Sequence, residues 1–348
     1  MPNMIYPGKE WLDTSGKRIE AHGGTMYYEN GIYYRIGEDK SHTSKRGKVW
    51  TWGIRCYSST DLCNWKDEGH IVAPEPDDRK SLFFPQRRMD RPHLLHNPKT
   101  GKYVLWLKYC DGAHYAVLTA DTILGPYTVV DPHLQPFGHK SGDYDLALDA
   151  ATGSAYLYYE ADHNSILVAK LNEEFTHETG EPVVIYSNQR PPLTREGPAH
   201  FTHNGKHYLI TSGMTGYVPN PSEIAVADDW MGPFTVLGDP CIDDESSATF
   251  NSQTSHVFQT ESGQFIMMAD RWLPDYVVTR ARYESMARAI SAHYDKSVKA
   301  SLKDFIQMVR APMGGSADTS KANYVWLPFE WDGEMPRLRW QDQWIPTL

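Results

Sequence analysis

Asn30-Gly31-Ile32-Tyr33-Tyr34-Arg35-Ile36-Gly37-Glu38 is a glycine turn followed by an aromatic, strand-like run. The chain repeats this phrase four more times, in residues 100–106, 152–160, 204–210 and 262–268. A hairpin that recurs about every fifty to seventy residues is typical of the blades of a propeller. The sequence therefore predicts an all-β fold, a five-bladed β-propeller with its chemistry on the central axis.

A second signature closes the repeats. The second and fourth repeats end in Gly125-Pro126-Tyr127 and Gly232-Pro233-Phe234. Proline fixes φ and cannot pair in a central ladder, so this pattern indicates a turn followed by re-entry into a strand. Because the two signatures alternate along the chain, we expect residues 1–348 to form a single propeller domain.

The segment at about 280–312 breaks the strand pattern. Its apolar residues recur at helical spacing and Pro312 follows them, which predicts a short helical insertion of one or two helices in the last blade. This pattern fits a solvated surface insertion without a catalytic role. A flap over the site or an oligomer contact is the alternative.

Composition excludes several classes of partner. A formal net charge of −10 and a pI near 5.8 argue against nucleic acid, because phosphate binding requires a basic surface. No apolar run approaches the length of a membrane span, so we expect no membrane partner. No signal peptide is visible, which indicates a cytoplasmic protein as the sequence stands and a secreted or periplasmic one if a leader was removed. The sequence does not indicate an oligomeric state.

Polar motifs precede each hairpin, and they are the candidates for chemistry. Glu196 stands between Arg195 and a Gly-Pro turn, where partial burial would raise its pKa as a general acid requires; a structural pair with Arg195 is an equal alternative. Asp143, Asp145 and Asp149 alternate in a strand-like run, which indicates a wet or functional face. The equivalent places in the other repeats hold Ala21-His22-Gly23-Gly24, Met89-Asp90-Arg91-Pro92-His93 and Asn251-Ser252-Gln253-Thr254-Ser255-His256. We expect all five motifs to meet on the axis.

Together these motifs resemble glycoside hydrolase family 43, whose members are five-bladed propellers, and most closely its exo-β-1,3-galactanase-like branch. The matching motifs run in order over nearly the whole chain: 21–24, 33–38, 90–92, 141–143, 195–199, 211–220, Gln253, 270–272 and 325–328. The resemblance implies an inverting mechanism with a general acid, a base that activates water, and a third carboxylate that tunes the acid. It makes Glu196 the acid and Asp143 the tuner.

The resemblance leaves the identity of the catalytic base open. Most members of the family carry a base aspartate on the first blade, where this chain has His22-Gly23-Gly24. In the galactanase-like branch a glutamine on the fifth blade has been proposed to hold the water, and Gln253 matches it. An amide is a poor base, so Asp90 or Glu38 is the alternative proton acceptor. Inversion predicts a separation of about 6.5–9.5 Å between Glu196 and the Gln253 amide.

Other residues are expected to contact the sugar or to bind an ion. The predicted substrate-binding residues are Asp90, His22, Glu38, Tyr217, Asn220, Arg271, Trp272 and Trp326. Asp90 stands where close relatives commonly have glutamate, one methylene longer. No cofactor is required; the resemblance allows a central calcium, for which His256 is the single candidate ligand, but the sequence does not indicate one.

The resemblance implies an exo-acting enzyme that releases terminal β-D-galactose from β-1,3-galactan or related galactosides. The partner is then an oligo- or polysaccharide. An α-L-arabinofuranosidase or β-xylosidase is an alternative within the family, since a fold does not determine the substrate. A non-catalytic glycan-binding propeller is the alternative from another class, because the expected base is missing.

Overall fold

The computed structural model describes residues 3–43, 49–187, 190–312 and 317–348. Within these residues the strands form five sheets in chain order. Blade one holds β1 (His22–Glu29), β2 (Ile32–Glu38), β3 (Ile54–Ser59) and β4 (Lys66–Val72), and blade two holds β5 (Met89–His96), β6 (Tyr103–Tyr109), β7 (His114–Ala120) and β8 (Thr128–Leu134). Blade three holds β9 (Ser141–Asp149), β10 (Ser154–Ala161), β11 (Ser165–Leu171) and β12 (Glu178–Tyr186), and blade four holds β13 (Arg195–His203), β14 (Lys206–Gly213), β15 (Ser222–Ala227) and β16 (Thr235–Gly238). Blade five holds β18 (Gln253–Gln259), β19 (Phe265–Arg271), β20 (Asn323–Asp332) and β21 (Met335–Arg339), with β17 (Cys241–Ile242) parallel to β21. The predicted five-bladed β-propeller is confirmed.

The repeated glycine phrase forms the hairpin between the first two strands of a blade. Asn30 and Gly31 join β1 to β2 with φ of 53° and 81°, and Asn204 and Gly205 join β13 to β14 with φ of 49° and 75°. Two consecutive positive φ angles match the right-handed twist of the strands, and asparagine and glycine adopt them at the lowest cost. This is why the local sequence alone was enough to count the blades.

The core lies between neighbouring blades rather than within them. Five apolar clusters occupy the five interfaces, and the one that joins blade five to blade one closes the ring. In that cluster Trp65 and Trp326 meet edge to face at 5.9 Å, and both are almost completely buried. Burying a large apolar side chain stabilises a fold by about 1.5–3 kcal/mol, so these contacts hold the blades in register around the axis.

Two helices are inserted between β19 and β20, which confirms the predicted helical insertion. The Thr279 side chain caps α1 (Arg280–Tyr294), and Ser301 begins α2 (Leu302–Arg310) with a capping box to Asp304. α1 packs against the loops that follow β14 and precede β18, through a small cluster that includes Val218. Among the described residues, neither helix is long and apolar enough to cross a membrane.

One irregularity recurs beside the innermost strand of every blade. The pairing of the first and second strands shifts register between His22 and Thr25, between Asp90 and His93, between Tyr159 and Ala161 opposite β9, between Glu196 and Ala199, and between Thr254 and His256. Bulges bend a strand, re-aim its side chains and are frequent beside active sites. The five predicted polar motifs all fall at these bulges.

Candidate active site

The bulged strands line a cavity of about 330 Å³. Its lining consists of Glu38, Trp50, Arg88, Asp90, Arg91, Lys108, Cys110, Asp143, His163, Glu196, Gly216, Tyr217, Gln253 and Trp272. A larger surface groove of about 710 Å³ lies along β11 and β12 and contains none of the predicted site residues. The cavity therefore brings together seven of the predicted residues: Glu196, Asp143, Gln253, Asp90, Glu38, Tyr217 and Trp272.

Glu196 lies at the bulge of β13, with its carboxyl group facing the cavity. Withdrawal from water and the charge of Asp143 raise the pKa of Glu196 to about 8, against the opposing charges of Lys108 and Arg91. The carboxyl group is therefore largely protonated at neutral pH. This is the state in which a carboxyl group can act as a general acid.

Asp143 lies beside Glu196 and stays ionised. Burial alone would raise the pKa of Asp143, but Arg91 and Lys108 outweigh it and hold that pKa well below its usual range. Arg91 Nε lies 3.0 Å and Lys108 Nζ 2.6 Å from Asp143 Oδ1. The cavity thus contains two carboxyl groups whose environments push their pKa values apart, a pattern that separates acid from charged partner.

Gln253 contacts Glu196 directly, so the predicted separation of about 6.5–9.5 Å between them is wrong. Its Nε2 donates to Glu196 Oε1 at 3.2 Å and to Ser212 Oγ at 3.0 Å, while its Oε1 accepts from Trp272 Nε1 at 3.1 Å. The reason lies in the topology. β13 and β18 are innermost strands of adjacent blades, so their bulges place these side chains next to each other and not on opposite sides of a sugar.

Glu38 enters the cavity from the second strand of blade one. It pairs in register with His22, the position at which the resemblance led us to look for an acid. The backbone N–H of Arg91 donates to Glu38 Oε1 at 3.0 Å, and Lys40 Nζ lies 2.5 Å from Oε2. Burial and the nearby Asp90 raise the pKa of Glu38 to about 7, against the opposing charge of Lys40.

Asp90 lines the same side of the cavity, and a donor holds each of its carboxylate oxygens. Trp50 Nε1 donates to Oδ1 at 2.5 Å, and the Cys110 thiol donates to Oδ2 at 2.9 Å. Desolvation and the nearby Asp90 carboxylate raise the pKa of Cys110 far above its usual range, so the thiol stays protonated and remains a donor. Asp90 is therefore fixed as an acceptor for a hydroxyl group in the cavity.

Three aromatic rings form the walls above these polar groups. The Tyr217 ring lies 5.6 Å from Trp272 and 6.2 Å from Trp50, measured between centroids. Aromatic rings present flat apolar faces, onto which the C–H faces of a sugar pack, while the acids below them accept hydroxyl protons. The arrangement suits a small polyhydroxylated ligand.

Four predicted contact residues do not line this cavity. Trp326 is fully buried in the cluster between blades one and five. His22 is fully buried as well: its Nδ1 lies 2.8 Å from Asp270 Oδ1, and its ring stacks on Tyr324. Trp326 was predicted from its aromatic motif and His22 from its position on an inner strand. Both side chains are buried among other residues and do not face the cavity.

Asn220 and Arg271 are the other two. The Asn220 amide bonds both backbone groups of Gly213 and holds the loop that carries Tyr217. Arg271 Nη2 donates to the carbonyl oxygen of Phe250. Each side chain forms hydrogen bonds with backbone groups and so stabilises a segment next to the cavity.

Sequence reasoning missed several lining residues. They are Trp50, Arg88, Lys108, Cys110 and His163, together with Arg91, which appeared only as part of a motif. Strand register could have found Lys108, because it pairs with Asp90 in the second hairpin. Trp50 comes from the loop ahead of β3, where no pattern in the sequence points to the axis.

One cluster on the axis has the composition of a cation site. His93, Asp145 and His256 come from three blades and offer ligand atoms within 4.8 Å of one another. Calcium prefers six to eight oxygen ligands, whereas two imidazoles and a carboxylate suit a transition metal better. His256 thus has partners that the sequence did not indicate, but the cluster does not line the cavity.

Comparison with known proteins gives one curated relative and several solved structures. The arabinoxylan arabinofuranohydrolase of Paenibacillus polymyxa is 27% identical in an alignment of 265 residues that covers 64% of this chain; the chain spans only 40% of the length of that relative. A solved family 43 β-1,3-galactosidase is 28% identical, with a TM-score of 0.79 over 99% of this chain and 64% of its own. The exo-β-1,3-galactanase of Phanerochaete chrysosporium, solved as a glutamate-to-alanine variant with β-1,3-galactotriose, is 25% identical, with a TM-score of 0.78 over 99% of this chain and 69% of its own.

The family model for glycosyl hydrolases family 43 matches residues 25–283. That range contains the innermost strands of blades two to five in full and most of that of blade one, together with Glu38, Asp143, Glu196 and Gln253. With its fold, its cavity and this match in agreement, the chain belongs to glycosyl hydrolases family 43.

Proposed function

We propose that this glycoside hydrolase releases terminal β-D-galactose from β-1,3-galactan or related galactosides, with inversion at the anomeric carbon. The sugar is supported by the similarity to a β-1,3-galactosidase and to an exo-β-1,3-galactanase solved with β-1,3-galactotriose. Its partner is accordingly an oligo- or polysaccharide.

The observation that carries the proposal is the pair formed by Glu196 and Asp143. With its pKa raised to about 8, Glu196 keeps a proton that it can give to the glycosidic oxygen as the C1–O bond breaks. Asp143 keeps its charge, which holds the proton on Glu196 and favours the positive charge that develops on the sugar ring. Inversion requires that water attacks C1 from the face opposite Glu196.

The size of the cavity favours action at a chain end. At about 330 Å³ it is at the small end of ligand pockets, which favours one terminal sugar over a long stretch of polysaccharide. Tyr217, Trp272 and Trp50 provide the apolar walls, and Asp90 provides an acceptor for a hydroxyl group. These contacts define a sugar-binding subsite next to Glu196.

A second candidate is an α-L-arabinofuranosidase or β-xylosidase. The observation that favours it is the curated relative, an arabinoxylan arabinofuranohydrolase at 27% identity. A non-catalytic glycan-binding propeller is the third reading, and it requires that Glu196 have no part in bond cleavage.

A panel of aryl glycosides separates these candidates. We expect turnover of aryl β-D-galactosides and release of galactose from β-1,3-galactobiose, with little turnover of aryl α-L-arabinofuranosides or β-D-xylosides. Glu196→Gln should abolish turnover of the disaccharide yet keep its binding by calorimetry, whereas Glu181→Gln, an exposed acid on β12, should behave as wild type. Preferential turnover of arabinofuranosides supports the second candidate, and binding without any turnover supports the third.

A further inference from the structure

The axial end of the innermost strand in blade one holds His22-Gly23-Gly24 in place of the expected acid, and the structure shows which acid lies beside it. His22 is locked by Asp270 and by the Tyr324 hydroxyl, 3.1 Å from its Nε2, and no part of it is exposed. Its partner across the β1–β2 ladder is Glu38, which lines the cavity. The carboxyl group that blade one contributes to the cavity is therefore carried by its second strand, β2, at the level of His22.

Of the two glycines after His22, Gly23 leaves room for that carboxylate and Gly24 allows the close approach of the β2 backbone. A Cβ on Gly23 would lie 2.4 Å from Glu38 Oε1 and 3.2 Å from Trp272 Cη2, and a Cβ on Gly24 would lie 1.8 Å from the carbonyl oxygen of Ile36. A side chain at Gly24 would collide with the backbone of β2, and a side chain at Gly23 would displace the Glu38 carboxyl group. The absence of side chains in the Gly23-Gly24 pair therefore lets the Glu38 carboxyl group pass the innermost strand and reach the cavity.

We propose that Glu38 takes the proton of the attacking water, and that Gln253 is a positioning residue for the acid Glu196. This inference rests on the proposed hydrolysis with inversion. The step balances as follows: the water oxygen bonds to C1, one water proton passes to Glu38, the C1–O bond breaks, and its electron pair takes the proton of Glu196. Proton exchange with solvent then restores Glu38 to the carboxylate and Glu196 to the acid.

The contacts of Gln253 support the positioning role. An amide N–H that donates to Glu196 Oε1 needs an acceptor there, so the acid proton is kept on Oε2. Both ends of the amide are engaged, Nε2 by Glu196 and Ser212 and Oε1 by Trp272. A neutral amide in contact with the acid orients that acid and has no basic lone pair to offer a water on the opposite face.

The position of Glu38 supports the role of base. The Trp272 indole lies between Gln253 and Glu38. Its Nε1 donates to Gln253 Oε1, and its Cη2 and Glu38 Oε1 lie beside the same point, the position that a Cβ on Gly23 would occupy. Arg91 separates the two sites on another side, since its backbone N–H binds Glu38 while its Nε binds Asp143. Glu38 and Glu196 therefore line one cavity from blades one and four and are linked through other side chains, Trp272 with Gln253 on one side and Arg91 with Asp143 on the other, which suits the separated acid and base of an inverting enzyme.

Asp90 is the competing carboxylate, and both acids have a partner at each oxygen. Trp50 and Cys110 each donate to one oxygen of Asp90, whereas the Arg91 N–H and Lys40 engage the two oxygens of Glu38. Glu38 differs in that Gly23 leaves space for its carboxyl group at the innermost strand and burial raises its pKa to about 7, which suits a base that works near neutral pH. We therefore assign hydroxyl binding to Asp90 and proton transfer to Glu38.

Leaving-group dependence combined with azide rescue tests this assignment. The variants are Glu38→Ala, Glu38→Gln, Gln253→Ala and Glu196→Gln, assayed on phenyl and on 2,4-dinitrophenyl β-D-galactoside. A dinitrophenolate leaves without a proton, so Glu196→Gln and Gln253→Ala should lose about 100-fold on the phenyl galactoside and far less on the dinitrophenyl one. Glu38→Ala should lose about 10³-fold on both, and azide should restore turnover with α-galactosyl azide as the product.

The opposite pattern overturns the proposal. If Gln253→Ala loses activity equally on both substrates and is rescued by azide, or if Glu38→Ala keeps more than a tenth of wild-type turnover, Glu38 is not the base. Should Glu38→Ala fail to fold by circular dichroism, Glu38→Gln must show the same equal loss on both substrates. If the wild type cleaves aryl arabinofuranosides instead, the proposed sugar fails, and the same comparison on those glycosides still decides the role of Glu38.

Discussion

Asp143 on β9 raises the pKa of Glu196 on β13, although the two side chains belong to different blades. The effect needs an ionised Asp143, and Arg91 and Lys108 keep it ionised. The same two cations oppose the shift of Glu196. At Glu196, burial and the negative charge of Asp143 outweigh the two cations and raise the pKa; at Asp143, the two cations outweigh burial and lower the pKa. The two carboxyl groups therefore differ in protonation state because their surroundings differ.

Replacing Asp143 tests this coupling. In Asp143→Asn the charge that raises the pKa of Glu196 is gone, and Arg91 and Lys108 lower that pKa further. We expect the basic limb of the kcat–pH profile to move to lower pH by a unit or more, with turnover at pH 7 reduced about 100-fold. Asp149→Asn, at the far end of the same strand, is the control and should leave the limb in place. An unmoved limb in Asp143→Asn contradicts the coupling.

The pH profile of the wild type should be a narrow bell. Glu38 must be ionised to take a proton, so activity rises as the pH passes its pKa of about 7. Glu196 must be protonated, so activity falls as the pH passes its pKa of about 8. The optimum in kcat/KM should lie between these values. In Glu38→Gln the acidic limb should disappear from the residual activity; an acidic limb that persists unchanged belongs to another group.

Gly23 gives a test that separates positioning from stability. Gly23→Ala would place a methyl group 2.4 Å from Glu38 Oε1, so we expect a large loss of kcat as Glu38 is displaced. Gly31→Ala is the matched control, since Gly31 also has a positive φ but no atom within 4 Å of the added Cβ. Both variants should lose about 1–2 kcal/mol of unfolding free energy from backbone strain, measured by urea denaturation. Equal kcat in the two variants would contradict the role of Gly23.

Cys110 provides a test of Asp90. Because the thiol stays protonated, it donates to Asp90 over the whole working pH range. Cys110→Ser keeps a donor and should stay within about threefold of wild-type KM, whereas Cys110→Ala frees one carboxylate oxygen. A hydrogen bond to a charged group is worth about 1.5–3 kcal/mol, so KM for aryl galactosides should rise about tenfold or more in Cys110→Ala. Identical KM values for the serine and alanine variants would show that the thiol does not position Asp90.

The sequence was sufficient for the fold because the hairpins are local. Each Asn-Gly, Thr-Gly or Ser-Gly turn marks its own pair of strands, and five turns indicate five blades. The acids of the cavity were found for a similar reason, since Glu196, Asp143 and Asp90 occupy the same place in consecutive repeats. What the repeat could not express is how the bulges turn the side chains of neighbouring blades at the axis. The direct contact between Gln253 and Glu196 depends on the bulges of β13 and β18, which the sequence does not show.

Side-chain direction was the other missing information. Trp326 lies in a motif that the resemblance highlights, but its strand turns it into the interface between blades one and five. Trp50 lines the cavity from a loop with no periodic pattern. Glu38 was predicted to contact the sugar or to accept the proton, but the sequence did not show that its path into the cavity depends on the bulge at Gly23 and Gly24.

The most direct test of the central claim is the anomer that the enzyme releases from β-1,3-galactobiose, followed by proton NMR during the first minutes of reaction. Hydrolysis by Glu196 with water delivered from the opposite face predicts that α-D-galactose appears first and equilibrates later to the β form. Release of β-D-galactose as the first product, or no release by wild-type enzyme that binds the disaccharide, would contradict the account.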